Sequence, residues 1–206
     1  MNTKNYDLSA FITDEIETSV DFILTRYGLE ICNDHTKRVA NYIQVLADKF
    51  DVDPDKAKVA ALLHDISGLI PNTKRVEYCQ ANDIGLIKEE IDFPLLAHQK
   101  TSRHMAKTQF SIEDEEILSA IACHTTLKEG ASRLDKLLFI ADKIEWDQSG
   151  LPPYKETIED LLDISLDQAV YTYMKYNLDQ KLLKIVHPDY LQATKWLETE
   201  LKNRLV

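Results

Sequence analysis

Apolar residues recur every three or four positions along almost the whole chain, which is the spacing of one helix face. Ile16, Val20, Ile23, Leu24 and Tyr27 form the first stripe, opened by Thr13 as a cap before Asp14 and Glu15 and closed by Gly28. A second stripe of Val39, Tyr42, Ile43, Leu46 and Phe50 reaches His35 when carried back one turn. Asp53 and Pro54 open a third helix, with the cap residue and first-turn proline in their preferred order. Its small face of Ala57, Ala60 and Ala61 leads to His64, and Ser67, Gly68 and Pro71 end it. The pattern next predicts a weaker helix over 73–81, capped by Asn72. After the Phe93–Pro94 break, another helix carries Leu95, His98, Ser102 and Met105 on one stripe.

Acidic residues 113–116 start a helix whose face is Ile117, Ala120, Ile121 and then His124. Ser132 with Asp135 three residues on reads as a capping box before Leu134, Leu137, Leu138, Ala141 and Asp142. Residues 147–154, with Gly150 and Pro152–Pro153, read as a loop. Two or three further amphipathic helices rich in Tyr171, Tyr173, Tyr176 and leucines extend to Val206 and complete the bundle. The reading is all-α: one helical domain over 1–206, with its core at about 27–146 and additional C-terminal helices over 155–206.

Composition narrows the function. Only 5 glycines and 6 prolines in 206 residues argue against a turn-rich β architecture. A net charge of −11 disfavours a nucleic-acid footprint, because duplex binding needs a basic face to displace counterions. It still permits a small anionic substrate where metals and a few cations reverse the sign locally. Cys32, Cys79 and Cys123 have no paired spacing, which fits a reducing cytoplasm. No stretch is long and apolar enough for a signal peptide or membrane span, so no membrane partner is expected. A homodimer is left open.

The candidate chemistry lies in the polar residues that interrupt these stripes. A lone histidine on a core face is more often a hydrogen-bonded core residue than a ligand. Here His35, His64, His98 and His124, with Asp65 and Asp142, sit on or at the end of apolar stripes on five predicted helices. Burying so many ionisable groups unpartnered costs several kcal/mol apiece, on the order of magnitude known for isolated polar groups and ions. Divalent metal satisfies them together, and a His/carboxylate set without cysteine suits hydrolytic or redox metals better than structural zinc.

The order His35, His64–Asp65, His98, His124, Asp142 resembles the HD superfamily of metal-dependent phosphohydrolases. It is more closely similar to the YqeK-type branch, the symmetrical bis(5′-nucleosyl)-tetraphosphatases. The resemblance runs from about Tyr27 to about Trp146. Its more specific parts are Cys123–His124–Thr125–Thr126 and the run from Phe139 through Asp142 to Glu145. It implies an HD-type helical bundle and two divalent metal ions, typically iron, with manganese, nickel or zinc compatible with the same ligands. His35, His64, Asp65 and Asp142 would hold one ion, and Asp65 would bridge to a second completed by His98 and His124. His64 and Asp65 would thus be central to catalysis. The implied reaction is attack by a metal-activated water on diadenosine tetraphosphate, giving two ADP.

The chain departs from that pattern around the substrate. Ser67 and Gly68 stand where relatives have alanine and lysine; Leu127, Lys128 and Glu129 replace Gly-Arg-Pro; Trp146, Asp147 and Gln148 replace Pro-Asn-Arg. Another phosphoester substrate and a non-enzymatic metal-binding helical module are the alternatives. Lys100, Arg103, Lys128 and Thr125 are the candidate substrate contacts, with Lys74 and Arg75 behind them. His104 is expected on the surface, His187 in a cap, and Trp146 or Tyr154 either stacked on a base or packed in the core.

Overall fold

Each stripe folds as a helix in the computed structural model, which describes residues 6–204. Helix α1 spans Ile16–Arg26. It starts later than Thr13 suggests, because the Thr13 hydroxyl accepts the Glu15 N–H and leaves Glu15 at the flanking position. Gly28 ends it at φ +71°: Gly28 N–H donates to the Thr25 carbonyl and Leu29 N–H to the Leu24 carbonyl, the paired bonds of a left-handed C-terminal cap. Helix α2 spans Glu30–Lys49.

Helix α3, Pro54–Leu63, is capped by Asp53, whose carboxylate accepts from the N–H groups of Asp55 and Lys56. Asp53→Ala should therefore cost about 1 kcal/mol, read as a lower urea midpoint with unchanged slope. The segment after α3 is a 3-10 turn, Ile66–Leu69, and not a simple stop. Helix α4 is Asn72–Ala81, but Pro71 holds the cap position. Asn72 instead turns its amide oxygen to Arg75 Nε at 3.3 Å.

A short helix α5, Lys88–Asp92, was not apparent in the periodicity, because only one turn forms before the proline. A 3-10 turn at Pro94–Ala97 then feeds α6, His98–Thr108, so that helix begins at His98 rather than at Leu95. Helix α7, Glu115–Cys123, is capped by Asp114, and α8, Arg133–Ile144, by the expected Ser132–Asp135 box. Three helices follow the 147–154 loop: α9 at Lys155–Leu162, α10 at Leu166–Asp179 and α11 at Pro188–Asn203. Leu205 and Val206, which the last predicted helix was to reach, lie outside the described residues. Among the described residues there is no strand, and no helix is long and apolar enough to cross a membrane.

Helix α8 is buried on nearly all sides, as expected for a central helix. Helices α2, α3, α7 and α10 all pack against it. Fully buried Phe139 turns its ring edge-on to Tyr173 at 5.7 Å and lies 6.4 Å from Tyr190, tying α10 and α11 to the same apolar cluster as Leu63 and Ile121. His104 is half-buried, not a surface residue; its Nδ1 meets the Tyr78 hydroxyl at 2.9 Å. His187 is a cap, as expected, accepting the Asp189 N–H through Nδ1.

Candidate metal centre

Three of the four candidate histidine ligands sit where a helical segment ends. His64 follows α3, His124 follows α7, and His98 follows the Pro94–Ala97 turn. A helix end leaves its last carbonyls without intrahelical partners. Each of these imidazoles lies against a carbonyl three residues back in the chain. His64 Nδ1 lies 2.6 Å from the Ala61 carbonyl, His98 Nδ1 2.6 Å from that of Leu95, and His124 Nδ1 2.8 Å from that of Ile121. His35, within α2, places Nδ1 2.6 Å from the Glu145 carbonyl at the end of α8.

A carbonyl oxygen only accepts, so each imidazole donates from Nδ1 and in its neutral form leaves Nε2 with a bare lone pair. Those four lone pairs face one another. His35 and His64 approach to 3.3 Å through Nε2, and His98 and His124 to 2.8 Å. Two neutral imidazoles cannot satisfy each other in that arrangement, because neither has a hydrogen to give. A cation between them satisfies both.

Two carboxylates complete the picture. Asp142 Oδ1 is 3.0 Å from His35 Nε2 and 3.7 Å from His64 Nε2. Asp65 Oδ1 is 3.3 Å from His98 Nε2 and 3.6 Å from His124 Nε2, while its Oδ2 is 3.6 Å from His64 Nε2. The ligand atoms thus form two groups that could each hold a metal ion: His35, His64 and Asp142, and Asp65, His98 and His124. Asp65 has one oxygen on each.

The electrostatics favour ionised carboxylates here. Burial raises the pKa of both Asp65 and Asp142, but His64 with its neighbouring histidines outweighs this at Asp65, and Lys143 with His35 and His64 outweighs it at Asp142; both fall well below the usual range. Burial works against charge on His64 as well, yet Asp65 and Asp142 overcome it and raise that imidazole to about 9; without a metal its Nε2 holds a proton against these two carboxylates, in the place a metal cation would take. At His124 burial wins over Asp65, reinforced by His98 and His64, and its pKa falls to about 4. Cys32 lies beside the cluster, where burial together with Asp65 pushes its thiol up to about 12, and its sulfur belongs to neither group of ligand atoms.

The candidate substrate contacts are placed differently from the ligands. Thr125 is at the centre, its hydroxyl 3.2 Å from His98 Nε2. Lys100 instead pairs with buried Glu90 at 2.7 Å, Arg103 with Glu115 at 3.0 Å, and Lys128 with buried Asp135 at 3.3 Å. Lys74 pairs with Glu77 on the surface. Arg75 is 2% exposed and no phosphate contact. Its guanidinium donates to the Ser67 and Thr101 hydroxyls at 3.0 and 2.7 Å and to the Ser67 and Ile70 carbonyls at 3.3 and 2.9 Å. Ser67 also donates to the His98 carbonyl at 3.0 Å. Arg75 and Ser67 therefore lock the turn after Asp65 to the start of α6, a role that no stripe in the sequence signals.

Leu127 shows how one departure is accommodated. It adopts φ +56°, a conformation that favours glycine, and is fully buried. The burial of an isobutyl group offsets a backbone cost of about 1–2 kcal/mol.

The HD domain family profile matches residues 33–147, more than half of the chain and the whole span of the ligand set. The chain belongs to the HD domain family and is a metal-dependent phosphohydrolase. It is 45% identical over 150 residues to a Lactococcus lactis subsp. cremoris protein described as an uncharacterized protein in the pepC 5′ region, covering 73% of this chain and 76% of that one. It is 28% identical over 167 residues to the symmetrical bis(5′-nucleosyl)-tetraphosphatase of Bacillus subtilis, covering 79% and 87%. The crystal structure of a predicted HD superfamily hydrolase involved in NAD metabolism from Clostridium acetobutylicum superimposes with a TM-score of 0.79 at 27% identity, over 88% of this chain and 96% of the other.

Proposed function

We propose that the protein hydrolyses diadenosine tetraphosphate symmetrically to two ADP, using two divalent ions held by the six ligands, with iron the native metal and manganese, nickel or zinc able to replace it. The observation that carries the dinuclear reading is the pair of imidazole couples whose bare Nε2 atoms face each other at 3.3 and 2.8 Å, each beside a carboxylate. The naming of relatives such as the Bacillus subtilis protein supports the substrate. Bound divalent metal would supply positive charge for the phosphate oxygens and acidify a water at neutral pH.

The side chains do the rest. Asp65, through its two oxygens, sets the spacing of the two ligand groups, and His64 fixes the first group against α3. The Thr125 hydroxyl, 3.2 Å from His98 Nε2, would hydrogen-bond a phosphate oxygen or the attacking water. Cytoplasmic location fits the three free cysteines.

A second reading, hydrolysis of a different nucleotide phosphoester, draws on Lys100, Arg103 and Lys128 being paired with carboxylates of the protein itself. Product analysis separates the two. Incubation of diadenosine tetraphosphate with manganese or anaerobic iron should yield ADP alone. AMP with ATP would keep the substrate and overturn the symmetrical cleavage, whereas intact dinucleotide alongside turnover of another phosphoester would replace the first reading with the second.

A further inference from the structure

The two ligand groups are held together differently. In the first, His35 reaches across the fold: its Nδ1 donates to the Glu145 carbonyl, so the ligand itself bonds α2 to the end of α8. In the second, His98 and His124 each donate to a carbonyl of their own segment, Leu95 and Ile121. Such local bonds orient each ring on its own backbone but do not set the distance between the two segments. Another group has to do so, because two imidazoles and a carboxylate act as one site only when all three are held in register.

Gln99 supplies that link. It follows His98 in the first turn of α6 and is 1% exposed. Its Oε1 accepts the N–H groups of Thr125 and Thr126 at 3.1 and 3.3 Å, and its Nε2 donates to the Thr126 hydroxyl at 3.0 Å. In a continuing helix the Thr125 N–H would donate to the Ile121 carbonyl, four residues back. Here that carbonyl faces His124 Nδ1, and the Thr125 N–H turns to Gln99. The amide fits only one way round, since backbone N–H groups only donate and require its oxygen. The Thr126 hydroxyl carries the chain on, donating to the Leu127 carbonyl at 2.9 Å. Directional bonds thus run from the residue after His98 through the turn after His124 to Leu127, the buried residue at φ +56°.

The third ligand of the group is joined to the same point. Ser67, two residues after Asp65, donates to the His98 carbonyl at 3.0 Å. His98 is therefore tied to Asp65 through Ser67 and to His124 through Gln99.

We propose that Gln99 is the positioning residue of the second ligand group, keeping His124 and the Thr125 hydroxyl in register with His98 so that the second divalent ion is retained. This rests on the dinuclear site proposed above. A buried amide that only filled space could be exchanged for an apolar side chain of its size; one that sets the register of two segments could not.

The test uses the full chain, equilibrated against graded manganese, and reads bound ions together with the manganese paramagnetic resonance signal. Gln99→Met keeps the volume and removes every hydrogen bond of the amide. Leu197→Ala is the control, since it opens a cavity at a fully buried position of α11, a helix that carries no ligand. The wild type should hold two ions and show the spin-coupled signal of neighbouring manganese. Gln99→Met should hold one ion with unchanged affinity and the other about 10- to 100-fold more weakly, the range typical of residues that orient ligands, and its signal should be uncoupled. Leu197→Ala should have a lower Tm and keep both ions. A second ion bound by Gln99→Met as tightly as by the wild type, or weakened equally in Leu197→Ala, would overturn the positioning role. If the wild type holds a single ion, the dinuclear reading falls; Gln99 keeps its role if Gln99→Met weakens that ion and loses it otherwise.

Discussion

Replacing Asp65 with alanine is expected to lower turnover of diadenosine tetraphosphate on the order of 10^3-fold or more. The reasoning is geometric. Asp65 alone among the six side chains has an oxygen directed to each ligand group, with Oδ1 at 3.3 Å from His98 and Oδ2 at 3.6 Å from His64. Metal charge stabilises a phosphoryl transition state by several kcal/mol, and each 1.36 kcal/mol is a factor of ten in rate. Losing the shared carboxylate removes that stabilisation and releases the hold on bound metal. Metal content measured on the purified variant should fall in parallel with activity. Asp65→Asn keeps the shape but loses the charge, so it should bind less metal than wild type. His104→Ala, which alters a histidine bonded to Tyr78 and not to the cluster, should keep both metal and turnover. Full metal content together with wild-type turnover in Asp65→Ala would refute the bridging role.

Arg75→Ala is the largest expected effect on stability. The guanidinium is 2% exposed and donates to two hydroxyls and two carbonyls in the interior. Truncation leaves the Ile70 carbonyl without that donor and opens a cavity. An orphaned buried polar group costs about 1–3 kcal/mol, so the total should reach about 3 kcal/mol or more. For a chain of this size that corresponds to a Tm lower by roughly 6–12 °C. Arg75→Lys should recover only part of it, since one ammonium cannot reach four acceptors fixed by a planar fork. The turn that Arg75 holds begins next to Asp65, so metal affinity should weaken along with stability. An unchanged Tm in Arg75→Ala would mean that water replaces the guanidinium without cost.

The helices were legible because a helix is a local object. Caps such as Asp53 and Ser132 act over two or three residues, and the structure uses them as the sequence indicates. Where the boundaries moved, a neighbouring group competed: Asn72 turned to Arg75 instead of capping α4, and a proline turn delayed α6 to His98. The six metal-ligand candidates were legible for a different reason. Ionisable groups on apolar stripes need partners, and their coincidence on five helices named one another.

The partners of the cations were not legible. Nothing in the spacing shows that Lys100 meets Glu90, or that Lys128 meets Asp135, because such pairs depend on how separate segments pack. The carbonyls that fix each imidazole leave no mark either, since every residue has one. Ser67 looks like a helix-ending residue in the sequence and acts as a hydrogen-bond hub in the fold.

The sequence by itself determined the all-α class, most helix ends and the set of histidines and aspartates that had to be reconciled with burial. Periodicity and capping are enough for that, because both work through backbone hydrogen bonds a few residues apart. Only the tertiary structure decided that four Nε2 lone pairs converge in two couples, that Asp65 touches both, and that Gln99 ties the turn after His124 to α6. Those facts are distances between side chains on different helices. They are set by interlocked packing around α8, where many apolar contacts fix each crossing jointly and no short stretch of sequence encodes any one of them.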